Sequence, residues 1–186
     1  MSVAIQRKGY GPVEPNHLSA QYTGQIYAQL PAQTKSGTTY TPIAQLENGQ
    51  FLRYDYANGI ATTGSGDGEW MLVFNEVKLY DERRQNYKDF VMLASEQADG
   101  LIYPRLLKTN VGDIFTTNTV GAAGTGPDAV QGSATTLQVG DKLTVTAATG
   151  ILAKNTSETL PAPVFQVVKE YTLADGQGAV KLQRIA

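Results

Sequence analysis

Apolar and polar residues alternate over short runs in most of the chain, and the alternation has the two-residue period of a β-strand. Leu52, Tyr54 and Tyr56 fall on one face of such a run. An Asn-Gly pair stands on either side of this run, at residues 48–49 and 58–59. Asn-Gly is the strongest short hairpin signal, because a tight turn of this type needs a positive φ at both central positions. The pattern therefore predicts β-hairpins in this part of the chain.

Two later runs extend the pattern. In residues 70–80, four apolar side chains are predicted to lie on one side of a strand, namely Met71, Val73, Val77 and Leu79. Residues 100–110 contain Pro104. Proline lacks the N–H that a central strand donates, so this second run is predicted to be an edge strand or two short segments.

The C-terminal residues 165–185 form two apolar runs around the Gly-rich stretch ADGQG. The first run places Phe165, Val167, Tyr171 and Leu173 on one face, with Lys169 as the exception. The second run continues that face with Val180 and Leu182. This pattern predicts a hairpin with one buried face that closes a sheet.

A short sequence is repeated in the second half of the chain. Val-Gly-Asp occurs at Val111 and again at Val139, and each copy is followed by a Thr-rich run. Such a repeat indicates either a duplicated β motif or a coincidence. Because Gly-Asp turns are common before strands, we favour coincidence.

Residues 1–40 show neither a helical nor a strand period and contain several glycines and prolines. We interpret this segment as an extended N-terminal arm, with an ordered first strand plus loops as the alternative. The arm is too apolar to be a solvated tail, so its side chains need a surface on the parent domain or on a neighbouring subunit. The residues predicted to make this contact are Tyr10, Val13, Leu18, Tyr22, Ile26, Tyr27 and Leu30.

The runs together predict a mainly β protein, an antiparallel β-sandwich or β-barrel with an extended N-terminal arm and little helix. We expect seven to ten short strands. The predicted domains are an arm at 1–40 and a β domain at 41–186, in which a subdivision near 111–186 is left open.

Composition narrows the classes of partner. The chain has 15 basic and 17 acidic residues, interspersed, for a net charge of −2. A nucleic-acid partner is not expected, since that contact needs clustered Lys and Arg. No apolar run approaches the ~20 residues that span a bilayer, so no membrane partner is expected either. The sequence has no cysteine and begins without the apolar core of a signal peptide, which fits a protein made in a cytoplasm.

The residues that usually carry catalysis are sparse. The single histidine, His17, lies in the predicted arm, and a catalytic base needs a rigid support. Asp67 and Glu69 stand in a Gly-rich loop without the carboxylate ladder of a calcium site. The stretch GAAGTG at 121–126 precedes a proline rather than a helix, which argues against a dinucleotide loop. Trp70 begins an apolar strand and is expected to pack in the core. We therefore expect no enzyme, no cofactor and no metal site.

Residues 41–77 resemble the head decoration proteins of tailed bacteriophages. The shared elements are a Thr-Pro-aliphatic start at Thr41–Ile43, the turn at 48–49, and an aromatic-Asp stretch that ends in glycine, at 54–59. The C-terminal hairpin also looks like the closing hairpin of phage virion proteins. The region of the Val-Gly-Asp repeat has no counterpart in that pattern.

This resemblance implies a non-enzymatic cement protein that binds the outer surface of an icosahedral phage head and stabilises it. Its expected partners are the major capsid protein and other copies of itself, with a trimer as one arrangement. Its expected location is the capsid surface of the virion, after synthesis in the host cytoplasm. The apolar residues of the arm then become the predicted capsid contacts. The alternatives are a tail-tube or head-fibre subunit and a carbohydrate-binding β-sandwich module.

Overall fold

The computed structural model describes residues 2–5, 11–18, 30–64, 68–75, 91–121, 135–173 and 176–186. These residues form sixteen short β-strands and one 3-10 turn at Ala94–Glu96, without an α-helix among them. The expected mainly β class is confirmed, but the strands outnumber the seven to ten that we expected. Many of them have only two to four residues, and runs that short carry little periodic signal.

The strands are, in chain order, β1 Ser2–Ile5, β2 Val13–His17, β3 Gln33–Ser36, β4 Thr39–Pro42, β5 Gln45–Glu47, β6 Phe51–Asp55, β7 Ile60–Thr62, β8 Trp70–Val73, β9 Val91–Leu93, β10 Leu106–Leu107, β11 Ile114–Thr117, β12 Thr135–Gln138, β13 Lys142–Thr146, β14 Ile151–Lys154, β15 Val164–Thr172 and β16 Gly178–Arg184.

Two antiparallel sheets make up the body. The larger has the order β14-β13-β15-β16-β11-β2 and the smaller the order β10-β8-β6-β7. Three two-stranded ribbons, β1–β12, β3–β4 and β5–β9, complete the fold. In the described residues the first and last strands of each sheet do not pair with each other, so the structure resembles a sandwich and is not a closed barrel. Isolated bridges at Ala61 of β7 and Leu152 of β14 contact two of the edges. The strand after Pro104, β10, lies at an edge as predicted.

The four-stranded sheet is buried on both faces. All four side chains of β8 are buried, and they alternate between two separate hydrophobic clusters. Trp70 and Leu72 face the six-stranded sheet, where they join Phe51 and Phe165. The two other residues of β8 face the opposite cluster, whose members include Leu46, Leu52, Tyr54, Met71, Val73, Ile102 and Leu106. This sheet is therefore the middle layer of the protein.

The predicted strand faces are confirmed where they lie within these strands. Leu52 and Tyr54 share the second cluster, as do Met71 and Val73, whereas Val77 and Leu79 lie outside the described residues. Tyr56 falls beyond the end of β6 and is exposed.

The two Asn-Gly pairs behave differently. Asn58-Gly59 lies in the turn that joins β6 to β7, so the hairpin prediction is confirmed there. The prediction was wrong for Asn48-Gly49, because β5 pairs with β9 while β6 pairs with β7 and β8. The Asn48 amide instead exchanges two hydrogen bonds with the Asn75 backbone, at 3.0 and 2.8 Å, and Gly49 N–H donates to Val73 O. The turn thus joins the end of β8 rather than closing a hairpin.

The C-terminal hairpin forms as predicted, and Phe165, Val167, Val180 and Leu182 pack in the core on the predicted face. The assignment was wrong for Tyr171. The register shifts between Val167 and Lys169, which places Lys169 opposite Lys181. A bulge of one residue moves every later side chain to the other face of the strand. Tyr171 therefore leaves the core face, and the Lys181 ammonium lies 5.9 Å from the centre of its ring.

The described parts of the N-terminal segment are strands paired with the body. β1 pairs with β12, and β2 is the edge strand next to β11 in the six-stranded sheet. Among the described residues these parts match the alternative of an ordered first strand. The domain boundary at residue 40 stays a prediction.

A buried polar network holds residues 11–18 in place. Gly11 N–H donates to Glu47 Oε2 at 2.6 Å, and the Thr117 hydroxyl donates to Pro12 O at 2.8 Å. Thr119 donates its hydroxyl to Asn48 O at 2.9 Å. Because buried polar groups are costly when they lose their partners, this network makes the position of the segment specific.

Gly11 has no room for a side chain in this network. A Cβ atom there would lie 1.7 Å from Thr119 Oγ1 and 2.7 Å from Asn48 O. We predict that Gly11→Ala lowers the free energy of unfolding by about 2 kcal/mol or more, as overpacking of a tight interior does. Chemical denaturation of the full chain measures the change.

Gly64→Ala is the matched control, because among the described residues a Cβ atom there would meet only Thr62 Oγ1, at an ordinary 3.5 Å. The control is expected to stay within about 0.5 kcal/mol of the parent chain. Equal stability of the two variants would show that the network does not hold the segment.

Candidate interaction surface

The exposed large apolar side chains of the described residues mark the surfaces most suited to contact with another molecule. They are Tyr40, Tyr56, Tyr103, Val111 and Val139, with exposed fractions of 42%, 69%, 41%, 67% and 58%. Tyr40 and Tyr56 lie on neighbouring elements, the β3–β4 hairpin and the β6–β7 turn.

The β3–β4 hairpin has an exposed outer strand. Every residue of β4 is exposed, and among the described strands β4 pairs only with β3. A two-stranded hairpin is only marginally stable by itself in water, so its position depends on contacts beyond its own ladder. The outer edge of β4 leaves backbone N–H and C=O groups available to another strand.

Side chains tie the hairpin to the β6–β7 turn. The Lys35 ammonium and the Tyr40 hydroxyl both donate to Asn58 Oδ1, the hydroxyl from 3.2 Å. Asn58 in turn donates from Nδ2 to Asp55 Oδ2 at 2.6 Å and from its backbone N–H to Asp55 Oδ1 at 3.0 Å. We name the group Lys35, Tyr40, Asp55, Tyr56 and Asn58 the tyrosine end.

The aromatic rings of the tyrosine end are held from two sides. The Tyr56 ring meets the buried Tyr54 ring edge-on, with 5.4 Å between centroids. The Lys35 ammonium lies 5.3 Å from the centre of the Tyr40 ring. The hydrogen bond from the Asn58 amide lowers the pKa of Asp55, and the charge of Lys35 acts in the same direction. The surface is therefore ordered, aromatic and weakly charged.

A cleft of about 290 Å³ lies at the base of the hairpin. It is lined mainly by amide, hydroxyl and aliphatic side chains, with the buried Glu47 carboxylate at its wall: Thr34, Ile43, Gln45, Leu46, Glu47, Gln50, Thr63, Ala148, Thr149 and Ile151. The Glu47 carboxylate already accepts the Gly11 N–H, so it serves the polar network described above.

The two Val-Gly-Asp stretches form the same turn. Gly112 and Gly140 have φ values of 98° and 95°. In each copy the aspartate accepts a hydrogen bond from the backbone N–H three residues earlier, Asp113 at 2.9 Å and Asp141 at 3.0 Å. The two stretches therefore share a local structure as well as a sequence, while the choice between duplication and coincidence stays open.

The two turns also occupy equivalent places in the six-stranded sheet. Gly112 N–H donates to Arg184 O and Arg184 N–H to Asp113 O, and the second turn makes the same pair of bonds with Val167. β11 and β13 flank the β15–β16 hairpin on opposite sides and run in opposite directions. An approximate twofold axis through that hairpin relates the turns.

Glu69 joins the two main sheets. Its carboxylate pairs with Arg184 Nη1 at 2.8 Å and with Lys108 Nζ at 3.0 Å. Partial burial raises the pKa of Glu69, but the hydrogen bonds from Arg184 and Lys108 outweigh it and hold this pKa below its ordinary value. These contacts give Glu69 a structural role.

Trp70 packs in the core as expected. Its exposed fraction is 9%, and the Arg53 guanidinium lies 4.4 Å from the centre of the ring. The ring is therefore covered on both sides by this chain.

The predicted arm contacts are only partly described. Val13 and Leu18 are buried in the hydrophobic cluster between the main sheets, and Leu30 packs against the second cluster. Tyr10, Tyr22, Ile26 and Tyr27 lie outside the described residues. Val13, Leu18 and Leu30 thus contact the chain's own body. The role of all seven predicted residues in capsid binding stays a prediction.

His17 lies at the end of the edge strand β2, opposite Ile114, and is exposed. Within the described ranges, no three His, Asp or Glu side chains are grouped closely enough to hold a metal ion. In that same part of the chain no helix has the length and apolar character needed to cross a membrane.

Sequence reasoning missed the tyrosine end as a surface. It placed Tyr56 on a strand face and Tyr40 in the arm, whereas the turn at 56–59 brings them together. A signal was present, because Tyr56 stands only two residues before Asn58 and therefore falls in the predicted turn and not within the strand. Comparison with protein-family models, curated proteins and solved structures found no match to this chain.

The Glu69 contacts predict a specific acid dependence of stability. The pKa of Glu69 is lower in the folded chain than in the unfolded chain. The charged Glu69 therefore adds to the free energy of unfolding at pH values above its unfolded pKa, and this contribution is lost as the pH falls through its folded pKa. Glu69→Gln is therefore expected to cost about 1 kcal/mol at neutral pH. The difference from the parent chain should shrink below the ordinary glutamate pKa of 4.5.

Denaturation of both chains across this pH range measures the difference. Glu158→Gln, at an exposed position outside the ion pairs described here, serves as the control and should follow the parent chain at every pH. A constant cost of Glu69→Gln down to strongly acidic pH would contradict the assigned role of the charge.

Proposed function

We propose that this chain is a capsid decoration protein, a non-enzymatic virion component that binds the outside of an icosahedral phage head. The proposal rests on the resemblance of residues 41–77 to head decoration proteins and on one structural observation. That observation is the β3–β4 hairpin, whose outer strand is exposed along its whole length.

The hairpin suits a contact with a protein surface. The free edge of β4 can extend a sheet of the partner through backbone hydrogen bonds, while alternate side chains supply specificity. Tyr40 and Tyr56 are of the residue type enriched at protein interfaces, where a rigid aromatic ring is buried and its hydroxyl finds a partner. Only Lys35 and Asp55 carry charge at the tyrosine end, so little charge must be desolvated on binding.

The body suits a protein that braces a shell. The middle sheet is packed on both faces, and such close-packed layers resist deformation. A stable contact buries roughly 1,200–2,000 Å² in total, which a hairpin and an adjoining turn can supply only together with neighbouring surfaces. Binding in many copies, as a homo-oligomer on a repeating shell, compensates for a modest single contact.

The structure changes how the predicted arm contacts must be tested. A chain that starts near Thr41 would lack β2 and the buried side chains Val13 and Leu18, so it would lose part of its own core. Loss of binding by such a chain would not separate folding from recognition. Substitutions at exposed residues of the tyrosine end are the cleaner test.

A tail-tube or head-fibre subunit is the alternative within the virion. An exposed Trp70 would support the carbohydrate-binding alternative, and the buried position of this ring counts against it.

Copy number in the particle tests the proposal directly. Mass spectrometry of purified particles is expected to find this chain at parity with the most abundant shell protein, or at a simple lattice fraction of it. A few copies per particle would favour a fibre or tail component, and assembly of the purified chain into tubes would favour a tail tube. Absence from the particle would refute the proposal.

Binding to particles that lack the protein tests the surface. Tyr40→Ala is expected to weaken binding by at least about tenfold, as the loss of a buried aromatic contact does. Tyr103→Ala is the matched control, because Tyr103 is equally exposed at 41% but lies in the loop before β10. Equal loss in both variants, or in neither, would contradict the role of the tyrosine end.

A further inference from the structure

The two Asn-Gly pairs can undergo the same chemical reaction, but their surroundings in the fold differ. In such a pair the backbone nitrogen of glycine can attack the side-chain carbonyl carbon of asparagine, since glycine has no side chain to hinder the approach. A C–N bond forms to close a five-membered succinimide, the former amide nitrogen leaves as ammonia, and water then opens the ring to aspartate or isoaspartate.

The first pair is held in an unreactive arrangement. Asn48 is buried, its Nδ2 donates to Asn75 O, and its Oδ1 accepts the Asn75 N–H. The nucleophile is engaged as well, because Gly49 N–H donates to Val73 O at 3.1 Å. Reaction here requires local opening of the middle sheet.

The second pair lies in the exposed β6–β7 turn. Gly59 is exposed, has a φ of 66°, and has open space around the position of a Cβ atom. In the described part of the chain, no backbone carbonyl accepts the Gly59 N–H. The nucleophilic nitrogen is therefore not held by the β-ladder.

The asparagine carbonyl of this pair is contacted by two hydrogen-bond donors. The Lys35 ammonium and the Tyr40 hydroxyl both donate to Asn58 Oδ1. Attack by the Gly59 nitrogen places negative charge on that oxygen, and donors aimed at such an oxygen stabilise the tetrahedral intermediate. Asp55 Oδ2 holds the amide nitrogen on the other side at 2.6 Å, which keeps the oxygen directed toward the two donors.

We propose that Asn58-Gly59 is a site of spontaneous deamidation in the folded chain, and that Lys35 and Tyr40 accelerate the reaction. The aspartate product carries a carboxylate where Nδ2 donated to Asp55, so an attractive contact becomes a repulsion between two carboxylates. Isoaspartate also lengthens the backbone of the turn by one methylene. Either product adds a negative charge at the tyrosine end. This inference stands independently of the proposed function.

The test is incubation of the folded full chain in heavy-oxygen water, followed by digestion in ordinary water and peptide mapping. Only oxygen gained during incubation then reports the reaction of the folded protein. Asn58 is expected to react at least about a hundredfold faster than Asn48, which reacts only from locally opened chains. Asn58 is also expected to react faster in the folded chain than in urea.

Two substitutions test the role of the donors. Lys35→Met and Tyr40→Phe are each expected to slow the reaction of Asn58 by about threefold or more, since each removes one donor to the developing charge. Lys142→Met, at an exposed lysine of β13, is the control and should leave the rate unchanged. Circular dichroism confirms that each variant is folded.

The opposite results would overturn the inference. A slower reaction of Asn58 in the folded chain than in urea would show that the hydrogen bonds protect the amide. Faster reaction in Lys35→Met or Tyr40→Phe would show the same, as would equal rates at the two Asn-Gly pairs of the folded chain.

Discussion

Burial of the four-stranded sheet on both faces is the constraint on which the rest of the structure depends. Trp70–Val73 in β8 send alternate side chains into two hydrophobic clusters, so neither face of this sheet can be left to solvent. The six-stranded sheet covers one face. The other is covered by short elements, including β5 and the loop that contains Ile102. A third layer is needed because β6 and β8 are apolar on both sides, unlike the usual strand of a two-layer sandwich.

The strands of this middle layer end in backbone N–H and C=O groups that need hydrogen-bond partners. Side chains supply these partners where no neighbouring strand does. Asn48 bonds with the backbone at the end of β8, and the Thr117 and Thr119 hydroxyls reach residues of other elements. These bonds join the N-terminal segment, the β5–β6 turn and the end of β11. Each partner is buried, so removing one leaves another without its hydrogen bond.

The exposed surface that carries Tyr40 and Tyr56 lies where the packing of the middle sheet ends. β7 is the edge of the middle sheet, and the turn that leads into it reaches solvent, where Asn58 collects hydrogen bonds from the β3–β4 hairpin. The tyrosine end is thus an ordered surface supported by the core through the contact of Tyr54 with Tyr56. The proposed contact surface and the proposed reactive Asn-Gly pair fall in one place for the same reason, since both need exposure on a rigid support.

The sequence by itself determined the β class, the strands with clear alternation, the turn at Asn58-Gly59, the edge position after Pro104 and the burial of Trp70. All of these depend on local period or on one residue's covalent constraint. Tertiary structure alone decided which strands pair, which is why Asn48-Gly49 joins two sheets and the bulge after Val167 moves Tyr171 to the other face. It also decided that Val13 and Leu18 pack in this chain's own core, and that Tyr40 and Tyr56 meet at one surface. Pairing and burial depend on residues distant in the chain, and no local pattern carries that information.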